Sequence, residues 1–168
     1  MSSVIPSHDV VVVREADAEI FGGGPTTGRL YADSSATGGA LSCQRITLRG
    51  GAPGATPHHH NGSSELFYVV SGAAEMLAGE RVLTVSAGDL VVVPAGTVHA
   101  FAAASKSDAD LWIVITPGVE RFEYFRHLQR IGTGEAPLES ILEVQDRYDN
   151  HFDDSLLWQQ TLAARLLG

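Results

Sequence analysis

Short apolar runs separated by glycine- and proline-rich breaks fill the first two thirds of the chain. ALSCQRITL (Ala40 to Leu48), ELFYVV from Glu65, AAEML from Ala73, RVLTV from Arg81, LVVV from Leu90 and LWIVIT from Leu111 are rich in β-branched and aromatic residues. Runs of that composition suit strands. Turn signals between them recur at about 8 to 12 residues, the rhythm of a sandwich or barrel. Ala78, Gly79 and Glu80 predict a three-residue hairpin loop, and LVVV, apolar at every position, predicts a strand in the middle of a two-sheet barrel. DVVVV from Asp9 predicts an edge strand, ended by the glycines of FGGGP, and TTGRLYADSSATGG a short strand followed by a small-residue loop.

Beyond Pro117 the period changes. Val119, Phe122, Phe125, Leu128 and Ile131 recur every three residues, which predicts a helix with one apolar stripe and Gly132 as its C-terminal cap. Arg126, His127 and Arg130 fall in its last turns, where positive charge is favourable. Residues 138–148 are more weakly helical, and His151 is expected in a turn. Asp153, Asp154 and Ser155 offer N-terminal caps to a last helix that lines up Leu157, Trp158, Thr161, Leu162 and Leu166. The expected organisation is an N-terminal arm and β-barrel over residues 1–117, then helices over 118–168 that pack on the barrel or on a dimer partner.

Composition narrows the function. With 168 residues, 44% hydrophobic and 18% charged, the chain reads as one soluble domain. Its net charge is -9 and Lys106 is the single lysine among 11 basic residues, which argues against a nucleic-acid surface. There is no apolar run of about 18 residues, and MSSVIPSHDV lacks the basic and apolar blocks of a secretory signal. A cytoplasmic protein without a membrane partner is expected. His8, in that first stretch, reads as a solvated residue. Cys43 is the only cysteine, so no intrachain disulfide forms, and a buried, inert thiol is expected.

The candidate chemistry lies in PHHHNGSSELFYVVSG, from Pro57 to Gly72, and in GDLVVVPAGTVH, which ends at His99. Side chains alternate along a strand, so His58 and His60 project the same way and His59 the other. The four residues after His60 allow a turn onto a neighbouring strand that brings in Glu65, and the turn Pro94-Ala95-Gly96 sets His99 at the start of another strand. Three imidazoles and a carboxylate inside an apolar barrel call for a cation. One divalent metal ion on His58, His60, Glu65 and His99 is therefore expected, with Fe, Mn, Ni, Co and Zn all compatible. The bland alternative is a solvated His-rich run that binds metal incidentally.

These spacings resemble those of the cupin family. His58, His60, Glu65 and Gly72 fit its first motif except that Ala52 stands where a glycine is usual, with Gly51 beside it. Gly88, Pro94, Gly96 and His99 fit the second except that Ala103 stands in place of asparagine. The resemblance, over roughly residues 40–116, implies an all-β fold, the jelly-roll barrel also called a double-stranded β-helix, here with a C-terminal α-helical appendage. Within the cupins the chain is most similar to small single-domain proteins of the quercetin dioxygenase-like group. That likeness implies a dioxygenase acting with O2 on a flavonol or related enolised polyphenol, with Glu65 as the catalytic general base.

Parity turns Phe67, Val69 and Phe101 inward beside the ligands, and the aromatic helix after the last strand adds Phe122 and Phe125. These five are the candidate substrate pocket, with ordinary barrel core as the alternative for Phe67 and Phe101. Two other classes stand beside the dioxygenase: a metal-assisted isomerase or cyclase that uses the same ligands without consuming O2, and a non-enzymatic cupin that binds a small molecule with its metal structural or absent. A homodimer is expected, with the stretch Val10 to Val13 as one candidate contact.

Overall fold

A computed structural model describes residues 9–167. Strands β1 (Glu19–Gly23) and β2 (Thr26–Ala32) form a hairpin that continues through β3 (Ser42–Leu48) to β9 (Ala109–Thr116) and β5 (Ser64–Ala78). From β5 the order runs on through β8 (His99–Ala103) and β4 (His58–His59) to β10 (His151–Phe152). The short strands β6 (Arg81–Ser86) and β7 (Leu90–Val93) pair only with β5. Every pairing is antiparallel, and the sheet curls into a barrel.

Strand β5 belongs to both halves of that barrel. Its residues Ser64 to Gly72 pair with β9, Ala73 to Ala78 with β6, and Ala74 to Ala78 with β8. The bend between the halves carries a register shift at Val69 to Ser71 and falls on Gly72, at φ +73°. A Cβ there would run into the Asp108 carbonyl oxygen, so only glycine fits.

Strict alternation of buried and half-buried residues on β3 and β9 sends Ile46, Leu48, Leu111 and Ile113 into the barrel, against Phe67, Val69 and Met76 of β5. β8 is buried on both faces because Trp158 and Leu162 of the last helix, α3 (Leu156–Ala164), cover Ala100 and Ala102 from outside. Helix α1 (Phe122–Gly132) packs its Tyr124 and Phe125 with Leu30, Ile141 and Tyr148, the last residue of the short helix α2 (Gln145–Tyr148). Arg126 ties that helix to β1 through Glu19, at 2.6 and 2.8 Å. Both ends of the appendage thus pack on the barrel of their own chain. No helix among the described residues is long and apolar enough to cross a membrane.

Several local expectations are corrected. Val10 to Val13 form no strand; Val10 and Val12 are exposed, because Glu19–Gly23 takes the free edge of β2. LVVV is an edge strand with Leu90 and Val92 more than half exposed, since β7 pairs only with β5. The hairpin turn is two residues, Gly79 and Glu80, with Ala78 opposite Arg81. Helix α1 starts at Phe122 rather than Val119, where the Asp33 carboxylate accepts from the backbone N–H groups of Arg121 and Phe122 at 2.6 and 3.1 Å. Gly132 lies inside the helix, and the left-handed residue beyond it is Gly134. His127 bonds Ser140 rather than helix carbonyls. His151 sits in β10, and Leu166 lies beyond α3 and is exposed. Cys43 is half-buried, and that burial pushes its thiol up to about 11.

Candidate metal centre and the cavity beside it

His58 on β4 lies directly opposite His99 on β8, and the carbonyl of His60 accepts from Gly96 N–H at 2.7 Å, fixing the turn ahead of His99. The chain then crosses Asn61 to Ser63 onto β5, where Glu65 follows at the second position. Parity holds as the spacing predicts. His58 and His60 are buried, whereas His59 turns outward to bond Asp153 at 2.6 Å and stack on His151.

One ligand atom each from His58, His60, Glu65 and His99 lie within 4.8 Å of one another. Oε2 of Glu65 is 2.6 Å from His99 Nε2, 3.1 Å from His60 Nε2 and 3.9 Å from His58 Nε2. Each imidazole donates its other nitrogen to a backbone carbonyl: His58 Nδ1 to Thr56, His60 Nδ1 to Asp149 and His99 Nδ1 to Thr97, at 2.7, 2.6 and 2.9 Å. Those bonds fix the ring orientations and leave every Nε2 aimed at one point, the outer-shell arrangement of metal-binding histidines. Three nitrogens and one oxygen of this kind fit a divalent transition ion with an open position.

The electrostatics match that donor set. Burial, reinforced by the neighbouring His99, pushes His58 down to about 3, so it stays neutral. Burial would raise Glu65, but the bonds from His60 and His99 outweigh it and hold the carboxyl well below its ordinary value. The attraction to its partners therefore wins over the apolar surroundings, and Glu65 stands ionised. Burial would lower His99, yet Glu65 raises it above its ordinary value.

A cavity of about 260 Å³ opens beside the cluster, with His58 and Glu65 in its wall. Phe101 and Phe125 line it; Phe67, Val69 and Phe122 do not. Phe67 and Val69 are fully buried in the packed core, where the Phe67 ring meets His99 and Phe101 edge to face. Inward orientation places them in packed core and not at the cavity wall. Phe122 is on the flank of α1, with the Arg126 guanidinium 5.9 Å from its ring.

The cavity also holds residues that sequence reasoning missed: Tyr124, Arg121 and Asn150. Tyr124 and Arg121 sit next to the predicted stripe, at spacings that put them on one helix face with Phe125, a signal available in principle. Asn150 belongs to no motif, and only the fold brings it here. His8 lies outside the described residues.

No protein of curated function matches the chain by sequence. Residues 44–116 match the family described as cupin domain. The fold is similar to the solved structure of KdgF from Halomonas sp., with a TM-score of 0.56 and 23% identity over 65% of this chain and 94% of that one. It is also similar to Streptomyces Pac13, a nucleoside dehydratase, in a variant solved with uridine (TM-score 0.55, 18% identity, 67% of this chain and 86% of that one). A third is the polyketide cyclase RemF from Streptomyces resistomycificus (TM-score 0.54, 18% identity, 65% and 80%). Two motifs, the curled antiparallel barrel and the family match agree: residues 44–116 form a cupin domain, and the chain has the fold of the cupin structures it resembles.

Proposed function

We propose that this cupin is a metal-dependent acid–base enzyme, of the isomerase, cyclase or dehydratase kind, acting on a small enolisable molecule. The observation that carries the reading is the convergence of three carbonyl-anchored imidazoles and the Glu65 carboxylate within 4.8 Å at the wall of an aromatic cavity. A divalent ion on these four ligands would polarise a substrate carbonyl or hydroxyl and make its neighbouring proton easier to remove. Glu65, ionised and lining the cavity, accepts that proton as general base. Burial raises the Tyr124 phenol, so it stays protonated and serves as a hydrogen-bond donor from the same cavity. Phe101 and Phe125 exclude water around the reacting atoms.

The size of the cavity favours this over flavonol oxidation. About 260 Å³ is at the small end of ligand pockets, which run ~300–1,000 Å³, and suits a one-ring or open-chain molecule better than three fused and linked rings. The dioxygenase reading keeps one observation in its favour, the aromatic rings of Phe101, Tyr124 and Phe125. Neighbours named as a dehydratase and a cyclase support the non-oxidative reading as analogies of fold.

The test is deuterium incorporation from D2O into a panel of small 2-oxo and 2-hydroxy acids by the Zn, Mn, Ni, Co and Fe forms, with oxygen uptake on flavonols followed in parallel. Exchange that disappears in Glu65→Gln supports the acid–base reading. Oxygen uptake without exchange supports the dioxygenase, and silence of every metal form in both assays overturns both. A cytoplasmic homodimer completes the proposal, its contact moved from Val10 to Val13 onto the exposed face of Tyr68, Val70, Leu90 and Val92. Val92→Lys should then leave a monomer by light scattering.

A further inference from the structure

Arg121 is buried, with 4% of its surface exposed, and Asn150 with 2%. Among the described residues no carboxylate pairs with the Arg121 guanidinium, and its Nε and Nη1 have no hydrogen-bond partner. Its one polar contact is a long bond from Nη2 to Asn150 Oδ1 at 3.5 Å, and Asn150 Nδ2 has no partner either. The guanidinium lies 4.9 Å from the Tyr124 ring centroid and 5.4 Å from that of Phe125. Stacking of this kind orients the charge without neutralising it. A buried cation with open donors is expensive, and its presence beside a cavity points to an anion brought from outside.

We propose that Arg121 and Asn150 form a carboxylate-binding subsite, so that the substrate of the neighbouring metal centre is a small monocarboxylate; this rests on the reading of that centre given above. Arg121, Asn150, His58 and Glu65 line the same cavity, so a molecule held by the guanidinium reaches the ligand cluster. With a divalent ion and Arg121 set against the single charge of Glu65, the cavity would carry surplus positive charge that an anionic substrate offsets.

The donor pattern favours carboxylate over phosphate. A planar guanidinium fork and one amide match two coplanar oxygens, and Arg is the side chain suited to such bidentate pairing. The backbone N–H groups that could extend the cradle for a phosphate, those of Arg121 and Phe122, are already bonded to Asp33. Both members are held from behind. Asp33 fixes the start of α1, and Asn150 donates its backbone N–H to Gln145 at 3.1 Å, directly after the residue whose carbonyl anchors His60.

The experiment is calorimetric titration of the full chain, zinc-loaded and chelator-treated, with benzoate, its neutral isostere benzamide, and inorganic phosphate. Benzoate should bind both forms at least roughly tenfold more tightly than benzamide, and Arg121→Gln should weaken benzoate by roughly 10- to 100-fold, with Arg121→Lys between. Asn150→Asp places a carboxylate of the chain itself on Arg121. It should abolish benzoate binding while raising the melting temperature, so it decides the matter even if Arg121→Gln does not fold. Equal binding of benzoate and benzamide, unchanged binding in either variant, or phosphate preferred over benzoate would overturn the assignment. Benzoate binding that survives the failure of every exchange assay would count against the acid–base reading alone.

Discussion

Nδ1 of His60 and the carbonyl oxygen of Asp149 stand 2.6 Å apart, joining the first cupin motif to a residue 89 positions later in the helical appendage. Asp149 takes a left-handed conformation, φ +46°, and its carboxylate accepts from the N–H groups of Asn61 and Gly62 at 2.7 and 2.8 Å. One residue thus orients a candidate metal ligand and closes the turn that leads to Glu65.

Asp149→Ala removes both backbone bonds and strains a non-glycine residue at positive φ. Metal affinity measured by competition with a chromogenic chelator should fall by about 10- to 100-fold. Asp149→Asn, which tolerates that φ and keeps an acceptor, should recover most of it. Burial raises the Asp149 carboxyl, but the two N–H donors outweigh it and leave it below 3.8. Its stabilising contribution is therefore full above that ordinary value and fades as pH falls through the lowered one.

Metal binding should release a proton. Without metal, burial would lower His99, but Glu65 holds it protonated to above 6.5, and that pair stabilises the fold below the ordinary imidazole value and is lost as pH rises through the raised one. An ion must displace that proton, while His58 has none to give. Affinity should rise about tenfold per pH unit until His99 has titrated and then flatten. Calorimetry in two buffers of different ionisation enthalpy should show about one proton released; identical heats would contradict the pairing.

Gly72 is the hinge of β5. Gly72→Ala meets the Asp108 carbonyl and keeps an unfavourable φ, so a loss of more than about 2 kcal/mol in urea unfolding is expected, against less than about 1 kcal/mol for Gly23→Ala, where nothing lies within 4 Å of a Cβ.

Trp158 closes the outer face of β8 over Leu77, Ala100 and Ala102. Trp158→Ala should cost about 3–5 kcal/mol by thermal or urea unfolding. Because β8 carries His99, metal affinity should fall in the same variant; a stability loss with metal binding unchanged would show that α3 supports the barrel without bracing the site.

The ligand cluster was legible because strand parity and two turn signals fix His58, His60, Glu65 and His99 locally, and the barrel only had to close. The fold was legible for the same reason at β3, β5 and β9, whose sequences carry their own alternation or composition. What failed depends on neighbours remote in sequence. LVVV has the composition of an interior strand, yet whether a second strand lies beside it is decided elsewhere in the chain. Val10 to Val13 have equal β-propensity but lose the edge of β2 to Glu19–Gly23. Parity gave the direction of Phe67 and Val69 correctly and said nothing of whether that direction leads to space or to packed core. Arg121 belongs to no motif, and only the cavity around it sets it apart from the other arginines.

A single uninterrupted ribbon, Ser64 to Ala78, is hydrogen-bonded into both halves of the barrel, with Glu65 near its first end and Ala78 facing His99 at its last. Glu65 and the opposing imidazole are thus tethered to the same backbone rather than to two bodies that could slide apart. Opening either half pulls on the other, so the four-residue cluster has no independent way to loosen short of disrupting the barrel as a whole.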